Sequence, residues 1–160
     1  MCIRDSMEGE RAFVQELEAL KGGAALLKDN PLIAYRYNLG GGYYRSRGWE
    51  PLGYTGYYDT FGPELSFARK IAGSIKGNVA IAKFTHSGSQ IIDWTPEGSM
   101  AKSRHIYPKF IQFVEDSISE LSAKGHEVEV EGVFYHMGEN DMSFHPYRKE
   151  AAARVQGIIE

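Results

Sequence analysis

Gly138-Glu139-Asn140-Asp141 combines residue types that can stabilise a developing negative charge. Glycine permits a sharp turn, an asparagine amide offers two N–H donors, and an aspartate can anchor the turn by accepting backbone N–H groups. The tetrapeptide follows an apolar run at 128–135 that reads as a buried strand. Alone, an Asn-Asp pair has an ordinary explanation as turn chemistry. A second loop of the same kind gives it weight. His86-Ser87-Gly88-Ser89-Gln90 follows an apolar, β-branched run at 78–84 and precedes Ile91-Ile92-Asp93-Trp94. Open α/β sheets bind ligands outside the carboxyl ends of their strands, so two polar loops leaving two strands can face one crevice. For Gly88 the plain alternative is a turn glycine.

The elements that must position these loops follow from periodicity. Phe13, Leu17 and Leu20 space as a short helix closed by Gly22-Gly23, and a strand is expected at 32–37 after Asn30-Pro31. Residues 38–62 show neither helical nor strand period and interleave glycines with aromatics such as Tyr43, Tyr44, Trp49, Tyr54 and Tyr57. Aromatic faces suit stacking on sugar rings or packing of the loop onto its own domain, and both readings stand open. Gly62-Pro63-Glu64 opens a helix, with proline and an acidic residue suited to its first turn. Leu65, Ala68, Ile71, Ala72 and Ile75 form its apolar face. A strand follows at 79–84. A long helix marked by Ile106, Phe110, Phe113, Val114, Ile118 and Leu121 ends at Lys124-Gly125. After the strand at 128–135, Tyr147, Ala151, Val155 and Ile158 mark a helix over 146–159. Alternating strands and helices predict an α/β fold with a parallel sheet covered by helices.

Composition narrows the function. A net charge of −3 gives no electrostatic footprint for nucleic acid. No apolar run approaches the roughly 20 residues that span a bilayer, so no membrane partner is expected. The single Cys2 excludes a disulfide within one chain.

Four stretches together resemble the sialate O-acetylesterase-like carbohydrate esterases of the SGNH-hydrolase superfamily. Residues 61–68 resemble that family's Gly-Pro-Glu-x-x-Phe-Ala helix start. Residues 79–94 resemble its strand, Gly-Gly-Thr loop and apolar-acidic-Trp run. Residues 107–121 resemble its long helix, and 130–141 its strand ending in Gln-Gly-Glu-x-Asp. The resemblance covers 61–160 well and 7–60 loosely. It implies a three-layer sandwich with a parallel sheet, the flavodoxin-like SGNH hydrolase fold, here truncated at both ends. It also implies a serine esterase removing O-acetyl groups from sialate or xylan-type carbohydrate. No cofactor and no metal are implied, the partner is the acetylated carbohydrate, and the location implied is periplasmic or extracellular.

By the same resemblance, the Gly88 N–H and the Asn140 amide are oxyanion-hole donors. His86, Ser89, Gln90, His136 and Glu139 are candidates for substrate binding, with Trp49 and Glu64 added. There are departures. Met137 stands where the family has Gln, and Ser87-Gly88-Ser89 stands for Gly-Gly-Thr. Neither the nucleophile motif Gly-Gln-Ser-Asn-Met nor an Asp-x-x-His pair occurs in the chain. When Met7 is aligned with the motif's Met, the family's Ser falls on Asp5 and its Asn on Ser6. Residues 1–6 are therefore expected to be a foreign leader such as a sequencing scar, with 7–160 a partial esterase domain that is inactive as written. The rival reading makes Ser6 the nucleophile despite the slip.

Competing chemistries are weaker. His86, His136 and His145 flank the loops, and such histidines more often make structural or substrate contacts than serve as the base. His86, His136, Glu139 and Asp141 lack metal-ligand spacing. Paired carboxylates at Glu139 and Asp141 raise a glycosidase-like hydrolase, against which Asp141 is expected to accept N–H bonds within its own turn. A non-catalytic carbohydrate-binding relative using the aromatic loop is the remaining alternative.

Overall fold

The computed structural model describes residues 25–26, 28–53, 62–101 and 104–160. The expected helix around Phe13 to Leu20, the leader with Ser6 and residues 54–61 of the aromatic loop lie outside the described residues. The chain divides into two compact units, Met1–Thr85 and His86–Glu160.

The first unit is built on β1 (Asn30–Leu39). Its side chains alternate, and Ile33, Tyr35 and Tyr37 all turn to the buried face, as a two-residue period requires. β4 (Val79–Phe84) pairs with β1 in parallel, running from Ile33↔Val79 to Asn38↔Phe84. On the other edge of β1 lie two short strands, β2 (Tyr44–Arg45) and β3 (Glu50–Leu52), both antiparallel to it. Between β3 and β4 comes helix α1 (Glu64–Ala72). Leu65 and Ala68 of α1 pack with Ile33, Tyr35, Tyr37, Leu52 and Val79 as one apolar core. Tyr35 and Tyr37 approach at 5.3 Å between ring centroids, and Tyr37 stacks on Tyr44 at 6.0 Å. Ile75, expected on the buried face of this helix, lies beyond its end and is exposed.

The second unit carries a 3-10 turn at Ile91–Trp94 and three helices: α2 (Tyr107–Ala123), α3 (Glu139–Met142) and α4 (His145–Ile159). α2 and α4 each begin with proline in the first turn, where its missing N–H has no helical partner to lose. Phe113 of α2 and Ile106, the residue just before it, are buried apolar anchors. α4 buries no residue; Tyr147, Ala151, Val155 and Ile158, the stripe its spacing predicts, are half-buried, and so is Arg154.

The expected parallel three-layer sandwich of flavodoxin type is not what forms. The sheet is mixed, with antiparallel β2-β1-β3 pairing beside the parallel β1–β4 pair. Two causes are visible. First, 38–62 holds β2 and β3, strands of two and three residues, too short to display any period in sequence. The four-residue turn between β1 and β2 also returns the chain as a hairpin, which must be antiparallel. Second, residues 126–138 form no strand. Val130, Val133 and Phe134 are exposed, and no sheet among the described residues takes this apolar run as a strand.

Removing Leu65 from the α1–sheet core tests this packing. Leu65→Ala should cost about 2–5 kcal/mol, read as a lowered denaturation midpoint with secondary structure retained.

Candidate functional site

The two loops singled out in the sequence both belong to the second unit, and they meet. The Asn140 side-chain amide donates to the Ser89 carbonyl at 3.1 Å. The neighbouring Asp141 carboxylate accepts the Ile91 N–H through Oδ2 at 2.9 Å. So the short helix α3 reaches the 86–91 loop twice, through consecutive side chains. Asp141 does not anchor its own turn, as expected from sequence; it anchors a segment 50 residues away. Gly138 precedes α3 with φ +134°, a conformation that side-chain-bearing residues rarely adopt. That turn aims both Asn140 and Asp141 at the loop.

The 86–91 loop is also braced from within. Gly88 sits at φ +65°. The Ser89 hydroxyl is buried; it donates to the His86 carbonyl at 2.9 Å and accepts the Trp94 indole N–H at 3.0 Å. The Gln90 N–H donates to Asp93 Oδ2 at 2.8 Å, and the Asp93 carbonyl accepts the Ile106 N–H at 2.7 Å. Arg104 lies 3.4 Å from the buried Asp93 carboxylate and donates to the Gly88 carbonyl. A trans peptide held by its carbonyl has its N–H direction fixed too. Arg104 therefore orients the peptide joining Gly88 to Ser89.

Around this frame the exposed groups are Ser87, Gly88, His136, Glu139 and Asn140, with His86 half-buried. Among the described residues no acceptor takes the Gly88 N–H. Asn140 spends one of its two N–H groups on Ser89, which leaves the second. The Glu139 carboxyl is held below the usual carboxylate range, chiefly by a hydrogen bond from its own backbone and against the opposing effect of burial, with His136 among the lesser contributors. His86 Nδ1 lies 3.1 Å from the Ser87 carbonyl.

The remaining predicted residues fall elsewhere. Trp49 and Glu64 belong to the first unit. Glu64 is buried, ion-paired to Lys83 at 2.8 Å and accepting the Gly62 N–H at 2.9 Å, as befits a helix-start charge. Ser6 lies outside the described residues. The hydroxyl of Ser89 is consumed inside the loop, so what Ser89 offers a ligand is backbone. Sequence reasoning passed over Arg104, Arg154 and Tyr135. Arg154 of α4 lies 3.9 Å from Asp141 Oδ1 and is also paired with Glu150. The buried Tyr135 hydroxyl has no hydrogen-bond partner among the described residues. Burial first, and then Asp141 and Glu139, push its phenol up to about 12. Its ring also meets Trp94 edge-on at 6.3 Å.

A groove of about 510 Å³ runs between the 3-10 turn and α4, lined by Ile92, Thr95, Glu97, Glu150 and Arg154 among others, and neither Gly88 nor Asn140 lines it. Among the described residues no three His, Cys, Asp or Glu side chains are placed to hold a metal ion. No described helix is long and apolar enough to cross a membrane. Asp141, wholly buried and engaged by Ile91 and Arg154, is not presented as a hydrolytic carboxylate. This removes one partner of the carboxylate pair that a glycosidase mechanism needs.

A family model described as carbohydrate esterase, sialic acid-specific acetylesterase matches residues 45–160. The match spans well over half of the chain, and the protein belongs to this carbohydrate esterase family. No curated protein and no solved structure gives a significant match to it.

Two measurements check this geometry. Asp141→Ala strands the Ile91 N–H and should cost about 1–3 kcal/mol by denaturant titration. Tyr135 should make stability fall in alkali. Its phenol ionises near 10.0 when unfolded but about 12 when folded, so the fold holds the proton more tightly. The contribution is intact below 10.0 and is lost as pH rises toward about 12. Tyr135→Phe should flatten that part of the decline. Tyr37, likewise raised to about 12, chiefly by burial and then by Glu50 and Tyr44, would keep its own share.

Proposed function

We propose that the protein is a serine O-acetylesterase domain acting on O-acetylated carbohydrate of the sialate or xylan type. In this reading a serine alkoxide attacks the acetyl carbonyl, and charge develops on the carbonyl oxygen. The Gly88 N–H and the second N–H of Asn140 receive that charge, with the nucleophile's own N–H as a third donor. The observation that carries the reading is the Asn140–Ser89 hydrogen bond at 3.1 Å. It brings the amide to the Gly88 loop while leaving a donor on each side unspent. Donors fixed before reaction cost no reorganisation in the transition state, which is why such sites are braced. His86, Gln90, His136 and Glu139 stand close in sequence to the two donors and are the proposed contacts to the sugar.

The reading also predicts a weakness. The chain contains no Gly-Gln-Ser-Asn-Met nucleophile motif and no Asp-x-x-His pair. Oxyanion donors without a complete triad leave catalysis of only about 10³–10⁴ over water. The 160-residue chain should therefore turn over acetyl esters weakly, and Ser6→Ala should change nothing. Robust turnover abolished by Ser6→Ala would make Ser6 the nucleophile and overturn the inactivity. In a version that carries both motifs, Asn140→Ala should lower kcat by roughly 10²–10³ with KM little changed. An unchanged kcat in that version would remove Asn140 from the oxyanion hole.

A further inference from the structure

Asp141 poses an electrostatic problem that points beyond the two donors. Its side chain is wholly buried, and an unpaired carboxylate in such a place is strongly disfavoured. Oδ2 is satisfied by the Ile91 N–H, but Oδ1 has no hydrogen-bond partner among the described residues. The cation paired with it is Arg154, whose NH1 lies 3.9 Å away and also lacks a hydrogen bond. That separation is too long for a hydrogen bond, so the attraction is coulombic. The guanidinium is fixed from the α4 side: it lies 5.0 Å from the Tyr147 ring centroid and pairs with Glu150.

We propose that Arg154 is a positioning residue for the Gly88–Asn140 site, acting through Asp141. Its charge compensates the buried carboxylate, the carboxylate holds the Ile91 N–H, and that bond keeps the 86–91 loop docked against the turn that carries Asn140. The value of this for catalysis rests on the esterase reading; the mechanical link does not. Because the attraction is coulombic, a lysine at 154 retains it, whereas a neutral side chain of similar length does not. Because it acts through the Asp141 charge, removing that charge makes Arg154 dispensable.

The test is amide hydrogen exchange by NMR on the full chain near neutral pH, which needs no turnover. It therefore fails or succeeds apart from the esterase reading. Arg154→Met should speed exchange of the Ile91 N–H by about tenfold or more relative to the amides of α2, and should shift the Asn140 side-chain amide resonances. Arg154→Lys should restore exchange to within about threefold of the parent. Asp141→Asn keeps an oxygen for the Ile91 N–H and removes the charge. In that background Arg154→Met should have less than about a twofold effect. Unchanged Ile91 exchange in Arg154→Met, a rise shared equally by α2, or the same rise in the Asp141→Asn background would each overturn the proposal. If Arg154→Met does not fold, folding of the Asp141→Asn/Arg154→Met double variant supports it, and failure of both overturns it.

Discussion

The second unit depends on a carboxylate taken out of water. Asp141 has no exposed surface, and it spends its charge on one backbone N–H and one guanidinium that come from different parts of the unit. Burying such a group costs several kcal/mol and is tolerated only where partners are fixed in advance. That requirement runs outward. Ile91 must present its N–H, so the 3-10 turn must begin there. Gly138 must turn at φ +134° so that residue 141 faces inward while residue 140 reaches the Ser89 carbonyl. The helix α4 must dock so that Arg154 comes within reach. A short helix of four residues would be marginal on its own, and these long-range bonds hold it.

Parts of this were legible in the sequence, and what was legible shares a physical character. Gly88 and Asn140 stood out because glycine turns and amide donors are local properties, readable without knowing what lies across the chain. The strand in β1 and the helices α1, α2 and α4 were legible because their apolar residues repeat at two or at three to four positions over long stretches. β2 and β3 were not, since two or three residues cannot show a period. The run at 128–135 misled for the opposite reason. Its apolar, β-branched composition satisfies the local pattern of a strand, but strand formation is a property of a pair. Val130, Val133 and Phe134 are exposed, and among the described residues the segment 126–138 enters no sheet. The parallel sandwich failed on these two counts, although the family assignment that suggested it holds over residues 45–160.

The supporting residues were the least legible. Arg104 and Arg154 look in sequence like ordinary surface cations. Nothing local distinguishes an arginine that solvates a helix from one that neutralises a buried acid. Asp141 was readable as an acid in a turn and Asp93 as the acidic residue before Trp94, but neither as the buried anchor it is, because each takes a partner distant in sequence: Arg104 eleven positions from Asp93, and Ile91 fifty from Asp141. Long-range pairing of this kind carries no periodic signature.

The arrangement separates two tasks. The groups with unspent donors, the Gly88 N–H and the second Asn140 N–H, lie at the surface, while the groups that hold them, Ser89, Asp93, Trp94 and Asp141, are buried. A donor meant for charge that appears only during reaction gains nothing from a partner in the resting state, and would have to give that partner up. It gains a great deal from a backbone that cannot move, since small misplacements are costly. The loop is braced accordingly from two sides by two cation–carboxylate pairs, Arg104 with Asp93 and Arg154 with Asp141. Each pair joins a carboxylate of at most 1% exposure to an arginine still partly open to solvent. The hydrated edge of each guanidinium lowers the cost of burying its partner, and the buried acid lends the loop its rigidity. Under the esterase reading, the stability of this unit and the accuracy of its donors are therefore set by the same four side chains.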